Sequence, residues 1–174
     1  MAHDKTADLD TLRRAIADLH VASFAWARAC SSADAEDVLQ SAYEKVVSGA
    51  ARFDGRSSIK TWLFGVIRIT ALEHGRRAWM RRLRLVPLAR DPDDPSARRA
   101  DRSAEQASTA RALVDALAML SDRQRQVLHL VFYEDLTVDD AASAMGVSVG
   151  TARVHYDRGK KRVAELLRGR GIEP

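Results

Sequence analysis

Cationic and hydroxyl side chains recur at helical spacing in one stretch near the C-terminus, Leu136–Leu167. Such side chains could bind DNA, because Arg and Lys neutralise phosphates and Arg also fits the edge of guanine. The stretch reads as two short helices joined by a tight turn, with Thr137 and Ser148 as N-caps and Gly146 ending the first helix. This arrangement predicts a helix-turn-helix whose second helix contacts DNA. A helical hairpin with a merely solvated cationic face is the alternative.

No set of residues has the types and spacing of a catalytic or metal site. The five histidines have no metal-ligand spacing, and the sequence has no Walker loop, G-x-S-x-G motif or dinucleotide fingerprint. Three acids cluster at Asp34, Glu36 and Asp37, but they lack the apolar surroundings that general acid–base catalysis would require. We therefore expect no catalytic residue, no cofactor and no metal, and a protein that is not an enzyme.

The composition is that of a globular protein with a mild basic excess. Of the 174 residues, 46% are hydrophobic, and the formal net charge is +4. The single cysteine, Cys30, excludes an intramolecular disulfide, and its apolar context predicts a buried thiol. Neither a signal peptide nor an apolar run near the ~18 residues of a membrane span is present. We expect a soluble, cytoplasmic protein.

Helical periodicity runs through the first half of the chain, and no segment alternates for long enough to be a strand. The predicted helices span Leu9–Cys30, Asp34–Ala51, and Ile59 to about Trp79. In the second of these helices Val46 and Val47 are expected to face inward, and in the third Trp62 is expected to belong to the inward stripe.

A Pro- and Asp-rich stretch of little apolar content, 87–104, predicts a flexible linker. After it, Ser103 with Gln106 and Ser121 with Gln124 mark two helix starts. The predicted fold class is all-α, with two small helical domains joined by the linker and a helix-turn-helix in the second. The domains are residues 1–86 and 105–174.

Four segments, in this order and at this separation, resemble the extracytoplasmic-function (ECF) sigma factors of bacterial RNA polymerase, group IV of the sigma-seventy superfamily. They cover most of residues 9–85 and 107–167. The segments are DAEDVLQSAY (Asp34–Tyr43), RFDGRSSIKTWLFGVIR (Arg52–Arg68), HGRR (His74–Arg77) and the long C-terminal match Ala116–Leu167.

The resemblance implies a sigma factor that binds core polymerase, recognises the −35 and −10 promoter elements and initiates transcription of a specific regulon. The implied core-polymerase residues are Asp34, Glu36, Asp37, Gln40 and Glu44. For the −10 element, which must also be melted, the implied residues are Phe53, Gly55, Arg56, Ser57, Ser58, Lys60, Thr61, Trp62, Arg68, Arg76 and Arg77. For the −35 element they are Ser148, Thr151, Arg153, Val154, His155, Arg158, Lys161 and Arg162.

The resemblance also implies partners and a location. Core RNA polymerase would be contacted at the β′ clamp helices and the β flap, and promoter DNA would be the second partner. An anti-sigma factor would clamp the two domains together and could hold the protein at the membrane. Otherwise the protein would be a cytoplasmic monomer that joins the nucleoid when active, without inserting into a membrane.

Four residues depart from the family pattern. Thr70 and Glu73 stand where an Asn and an Asp are usual, Val47 stands where a Trp is frequent, and Asp157 stands where a basic or aromatic residue is common. These changes suggest a divergent promoter. Two other interpretations remain, a sigma-like decoy that binds an anti-sigma factor, and a helix-turn-helix repressor.

Overall fold

The computed structural model describes residues 9–31, 34–84 and 104–172. In these ranges the chain forms α-helices and no β-strand, which confirms the all-α prediction. None of the helices described is both long and apolar enough to cross a lipid bilayer. The helices are α1 (Leu9–Asp18), α2 (His20–Cys30), α3 (Ala35–Val47), α4 (Ile59–Arg84), α5 (Ala104–Ala118), α6 (Asp122–Phe132), α7 (Val138–Met145) and α8 (Val149–Arg168).

The first predicted helix, Leu9–Cys30, is in fact two helices, so that prediction is wrong. Leu19 separates α1 from α2 with φ −92° and ψ 5°, outside the α-helical region. The two helices have different neighbours: α1 packs mainly on α3, whereas α2 packs against α3, α4 and α6. Periodicity alone did not reveal the break, because both helices keep apolar residues at helical spacing.

Helix α4 extends to Arg84, beyond the predicted end near Trp79. No Pro or Gly interrupts the sequence between Gly75 and Pro87, so nothing local ends the helix earlier. At 26 residues α4 is about 39 Å long, since an α-helix rises about 1.5 Å per residue. The predicted linker, 87–104, and the helix start at Ser103 lie almost wholly outside the described residues.

The helix-turn-helix forms as its capping residues predict. Thr137 Oγ1 accepts a hydrogen bond from the backbone N–H of Asp140 at 3.0 Å, and α7 ends at Gly146 with φ 59°. Ser148 then starts α8 by accepting from the N–H of Thr151 at 3.1 Å. Just upstream, Gln124 accepts from the backbone N–H of Ser121 at 3.2 Å, which confirms the predicted start of α6.

One large hydrophobic core joins the two halves of the chain. From the first half, Trp26 and Phe64 are fully buried, and from the second, Val127, Leu130 and Met145 are buried in the same cluster. Across the two halves, the rings of Trp26 and His129 stack with centroids 5.7 Å apart. The two helical halves therefore pack on each other, and α4 contacts α2 and α3 of the first half as well as α7 of the second.

Two residues that were predicted to face the core, Val47 and Trp62, are less buried than expected. Val47 is 47% exposed, so its prediction as an inward residue is wrong; it is the last residue of α3, and its side chain lies at the surface. Trp62 is partly buried rather than central to the core, and its ring meets Phe53 edge-on at a centroid distance of 5.4 Å. Phe64 is fully buried, although the helical periodicity did not place it in the inward stripe of the third predicted helix.

Candidate nucleic-acid and partner interfaces

Helix α8 presents a basic face to solvent. Ala152 and Gly159 on its inner side are buried, which sets the opposite side outward. Gly159 allows a close approach to α6, because an added Cβ would lie 3.1 Å from Leu128 Cδ1. Of the predicted −35 residues, all but the half-buried His155 are exposed; they are Ser148, Thr151, Arg153, Val154, His155, Arg158, Lys161 and Arg162.

Four of these side chains, those of Ser148, Thr151, Arg153 and Arg162, have partners within the helix-turn-helix. Arg153 Nη2 lies 3.7 Å from Asp139 Oδ1 on α7, with both side chains about two-thirds exposed. Such an exposed pair contributes at most about 1 kcal/mol, so Arg153 remains available to another ligand. Ser148 Oγ is engaged in the cap of α8, where it also lies 2.8 Å from Thr151 Oγ1. Asp157 is exposed on the same helix, beside Arg158.

The loop before α4 is short, polar and held by local hydrogen bonds. Asp54 Oδ1 accepts from the backbone N–H of Arg56 at 3.1 Å, and Ser58 Oγ accepts from the N–H of Thr61 at 3.0 Å. Gly55 has φ 71°, a conformation that glycine adopts without strain. The predicted loop residues thus lie together, with Phe53, Gly55 and Ser57 partly covered and Arg56 and Ser58 exposed.

Three of the predicted −10 residues are covered by the second half of the chain. Thr61 is buried, and Arg68 is 6% exposed with its Nε donating to Gln126 Oε1 at 3.3 Å. Lys60 Nζ donates to the backbone oxygen of Glu134 at 2.7 Å. Burial lowers the pKa of the Arg68 guanidinium. In this conformation all three side chains are engaged with the second half of the chain, and their assignment to −10 DNA stays a prediction.

Arg76 and Arg77 lie two to three helical turns beyond Arg68 on α4, and both are exposed. The structure therefore divides the predicted −10 residues into an accessible loop, a covered segment of α4 and an accessible basic segment. The predicted −35 residues lie at the N-cap of α8 and around the part of this helix that Ala152 and Gly159 do not bury.

Helix α3 carries the predicted polymerase-binding acids beside a groove. Glu36, Asp37, Gln40 and Glu44 are exposed and Asp34 is partly exposed, with Gln40 Nε2 donating to Glu44 Oε1 at 3.0 Å. A groove of about 970 Å³ runs along this helix and α2. Its lining includes Glu36, Gln40 and Glu44 together with the less polar His20, Phe24, Leu39, Tyr43 and Val47. Sequence analysis missed this apolar floor, whose signal was a Val at the exposed end of α3.

Two departures from the family pattern form a link between α3 and α4. Lys45 Nζ donates to Glu73 Oε2 at 2.7 Å and to Thr70 Oγ1 at 3.1 Å. The hydrogen bond from Lys45 lowers the pKa of the Glu73 carboxyl. Next to this link, His74 and Ser41 lie within 3.2 Å. Thr70 and Glu73 therefore have a structural role in joining the two helices.

Burial also shifts the pKa of groups outside these surfaces. It raises the pKa of the Cys30 thiol to about 12, with smaller effects from the charges of Arg68, Arg125 and Asp122. It lowers the pKa of His129, against the opposing effect of Glu134. Over the described ranges, no group of three or more His, Cys, Asp or Glu residues could hold a metal ion.

Family models match both halves of the chain. Residues 19–81 match Sigma-70 region 2, and residues 110–163 match Sigma-70, region 4. The first range contains α2, α3 and α4 up to residue 81, and the second contains all but the outer ends of α5 and α8 in the second half. The chain therefore belongs to the sigma-70 family of RNA polymerase sigma factors.

Similar sequences place the chain in a narrower class of sigma factors within this family. The RNA polymerase sigma-E factor of Streptomyces coelicolor is 29% identical over 80% of this chain and 75% of its own length. The ECF RNA polymerase sigma factor SigX of Bacillus subtilis is 31% identical over 76% of this chain and 72% of its own length. Within the family this protein is an ECF sigma factor, an alternative sigma factor of RNA polymerase.

Two solved structures share the fold. The sigma factor RpoE from Bartonella quintana, in a co-crystal structure with the anti-sigma factor NepR, matches with a TM-score of 0.70 and 25% identity, over 90% of this chain and 96% of that one. CnrH, in complex with the cytosolic domain of CnrY, matches with a TM-score of 0.61 and 19% identity over 94% and 91% of the two chains.

Proposed function

We propose that this ECF sigma factor acts as a non-catalytic initiation subunit that binds core RNA polymerase and recognises a bipartite promoter. Its domains would be residues 1–86, for polymerase binding and the −10 element, and 105–174, for the −35 element, with 87–104 as linker. The observation that carries this proposal is the exposed basic face of α8, held by a capped helix-turn-helix. A helix in this setting fits the major groove.

The −35 element would be read by α8. Arg153 is the first candidate for a base contact, because a guanidinium can donate two hydrogen bonds to guanine O6 and N7. Lys161 and Arg162 would contact phosphates, as would the N-terminus of α8 at Ser148, where unpaired backbone N–H groups favour anions. Asp157, exposed on this face, would disfavour phosphate and so limit how closely that turn of the helix approaches the DNA.

The −10 element would be melted and held by the loop before α4 and by α4 itself. Extruding a base from the stack costs a few kcal/mol, which contacts to the extruded base must offset. The polar loop around Gly55 and Ser58 supports such contacts, and the exposed Arg56, Arg76 and Arg77 would hold the strand's phosphates.

Core polymerase would dock on α3. The exposed Glu36, Asp37, Gln40 and Glu44 complement a basic partner, the β′ clamp helices, and the apolar floor of the adjacent groove adds buried area. The β flap would contact the second domain. This division of contacts explains how a protein with a modest set of basic residues can act at promoters, because the polymerase supplies much of the binding.

An anti-sigma factor is a further proposed partner. Two structures with this fold contain such a partner or a second protein bound to the sigma factor, which supports the proposal for this chain. By itself the protein would be a cytoplasmic monomer, and binding to a membrane-anchored anti-sigma factor would hold it at the membrane. Measuring the molecular size of the free chain would test whether it is a monomer.

Run-off transcription with bacterial core polymerase on a library of promoters tests the proposed function. We expect specific transcripts that need both core polymerase and this chain, from promoters that share two elements at a fixed separation. A decoy would yield no transcript with any promoter, and a repressor would bind duplex DNA as a dimer without polymerase. Either result would overturn the proposal.

A further inference from the structure

Val154 is an apolar side chain in the middle of the basic outer face of α8. Among the large apolar side chains of α8, a helix that the structure describes in full, only Val149 and Val154 are exposed, by 36% and 46%. Val154 follows the buried Ala152 by two positions, which places it about 200° around the helix from that residue. Its side chain therefore points away from the rest of the protein.

Neither helix stability nor packing within the chain explains a valine at this position. Valine is β-branched and forms helices less well than Ala, Lys or Arg. The isopropyl group of Val154 belongs to neither hydrophobic cluster of the described residues. Single exposed valines are common on protein surfaces, so the case for a function depends on what surrounds this one.

The residues around Val154 are cationic or carry a hydroxyl group. On the same face lie Thr151 at i−3, Arg158 at i+4 and Lys161 at i+7, and all three are exposed. Long Arg and Lys side chains can reach phosphates at the rims of a groove, whereas a valine contacts only what lies directly opposite the helix. When a helix lies in the major groove, that surface is formed by the edges of the base pairs.

Gly150 leaves the same face of α8 bare one turn before Val154. It is exposed, and a Cβ added to it would meet only Ser148 Oγ, 4.0 Å away. A turn without a side chain lets the helix backbone approach another surface more closely than any other residue would allow. The short side chain of Val154 needs such an approach to reach a base edge, so the two positions act together.

The chemistry of the major groove determines which base fits a valine. The base edges there present hydrogen-bond donors and acceptors, and the C5 methyl group of thymine is the apolar group among them. Valine can neither donate nor accept a hydrogen bond, so it favours thymine through van der Waals contact with that methyl group. Opposite cytosine, the valine would cover the N4 amino group without offering an acceptor, which weakens binding.

We propose that Val154 is a specificity-determining residue that recognises the C5 methyl group of a thymine in the −35 element. This proposal rests on the proposed function, because it takes α8 as the helix that enters the major groove, and it adds the chemical group that one side chain contacts. A 5-methylcytosine presents a methyl group at the same place. Methylation of a cytosine at this position therefore restores part of the contact that a thymine makes.

Deoxyuridine tests the proposal because it keeps the O4 acceptor of thymine and lacks the methyl group. The probe is a promoter duplex recovered from the run-off library, in which each thymine of the −35 element, on either strand, is replaced singly by deoxyuridine. Competition binding at fixed salt measures the affinity of core polymerase that carries the full-length chain. We expect one replacement to weaken binding by about threefold to fourfold, the effect of exposing one buried methyl group.

Three variants assign the methyl effect to a residue. Val154→Ala should bind the thymine and deoxyuridine duplexes equally well at that position. Val149→Ala shortens the other exposed valine of α8 and is the matched control, which should keep the full deoxyuridine effect. Arg153→Ala should keep it too, although it binds both duplexes more weakly. In a duplex with a C·G pair at that position, 5-methylation of the cytosine should strengthen binding by the parent protein and leave binding by Val154→Ala unchanged.

Two results would overturn the assignment of Val154 while transcription proceeds normally. One is equal binding of the thymine and deoxyuridine duplexes at every −35 position, or a −35 element made of G·C pairs alone. The other is the same deoxyuridine effect in Val154→Ala as in the parent protein, which would give the methyl contact to another residue. The absence of a transcript from every promoter in the library would instead refute the proposed function, so the two failures are distinguishable.

Discussion

Arg68 shows how strongly the role of a side chain depends on what packs beside it. The family resemblance implied that Arg68 contacts −10 DNA, yet its guanidinium is buried against Gln126. Charge and helix position are visible in the sequence, but the neighbour that removes the side chain from solvent comes from 58 residues away. Single residues of this protein are therefore best tested where they are exposed.

Arg153 is the clearest exposed candidate. We expect Arg153→Ala to weaken promoter binding by polymerase that carries this sigma factor by ~1–3 kcal/mol and to relax the preference at one −35 position. Filter binding or run-off transcription across −35 variants would measure both. Arg168→Ala, at the end of the same helix and outside the predicted contacts, is the control. A loss that is uniform across all −35 variants would instead make Arg153 a phosphate contact.

Asp37 tests the polymerase surface. Three acids within four residues exceed what one helix N-terminus needs, and Asp37 is exposed, so we expect Asp37→Lys to abolish binding to core polymerase without unfolding the protein. Asp10→Lys makes the same change in charge in the first turn of α1 and is the control. Co-elution with core polymerase on size-exclusion chromatography gives the answer. An Asp37→Lys variant that still co-elutes would rule out this role.

At the scale of elements, the signals that were local in sequence gave correct predictions. The caps at Thr137 and Ser148 and the stop at Gly146 concern residues within four positions of each other, so the sequence contains all of their partners. The α1–α2 break at Leu19 and the exposure of Val47 depend on which distant helices lie alongside. Helical periodicity does not contain that information, so it predicted one continuous helix across Leu19 and a core position at Val47.

Gly146 offers an element-scale prediction. Its φ of 59° lies in the left-handed region, and an added Cβ would meet only Arg68 Nη1 at 3.9 Å, so backbone strain rather than space opposes substitution. We expect Gly146→Ala to lower the free energy of unfolding by about 1 kcal/mol. Gly150→Ala, on α8, should be neutral or slightly stabilising, since alanine favours a helix. Thermal unfolding of both variants is the measurement, and equal midpoints would contradict the expectation.

For the whole molecule, the sequence predicted the helical class and both family regions but not their mutual packing. The residues that join the two halves were given other roles in the sequence analysis. Phe64 lay outside the predicted inward stripe, and Lys60 and Thr61 were predicted to contact −10 DNA. Nothing in the sequence marks Glu134 as a buried acid, because its burial depends on Lys60, 74 positions earlier. The candidate surfaces on α3 and α8 were predictable because each belongs to a single helix.

The packing of the two halves on each other, the closed conformation, should depend on pH through His129. Burial lowers its pKa below the ordinary value of 6.5, while Glu134 and Lys60 act on it with opposite signs. A histidine with a lowered pKa binds fewer protons in the closed form, so closure is favoured above pH ~6.5 and weakens as pH falls through and below that value. Solution scattering between pH 7.5 and about 5.5 should show a growing particle.

His129→Phe keeps an aromatic ring against Trp26 and removes the titrating group. In this variant we expect the particle size to stay constant over the same pH range. A variant that expands on acidification as the parent protein does would assign the pH dependence to other groups.

The packing of α7 on α4 joins two parts of one polypeptide, and this has a consequence for how the protein responds to its own abundance. An intramolecular equilibrium has no concentration term, so the fraction of closed molecules is the same at ten copies per cell as at ten thousand. Sequestration by a separate protein follows mass action and fails once the sigma factor outnumbers it. The fraction of molecules whose two halves pack on each other would therefore stay the same even when this sigma factor is overproduced.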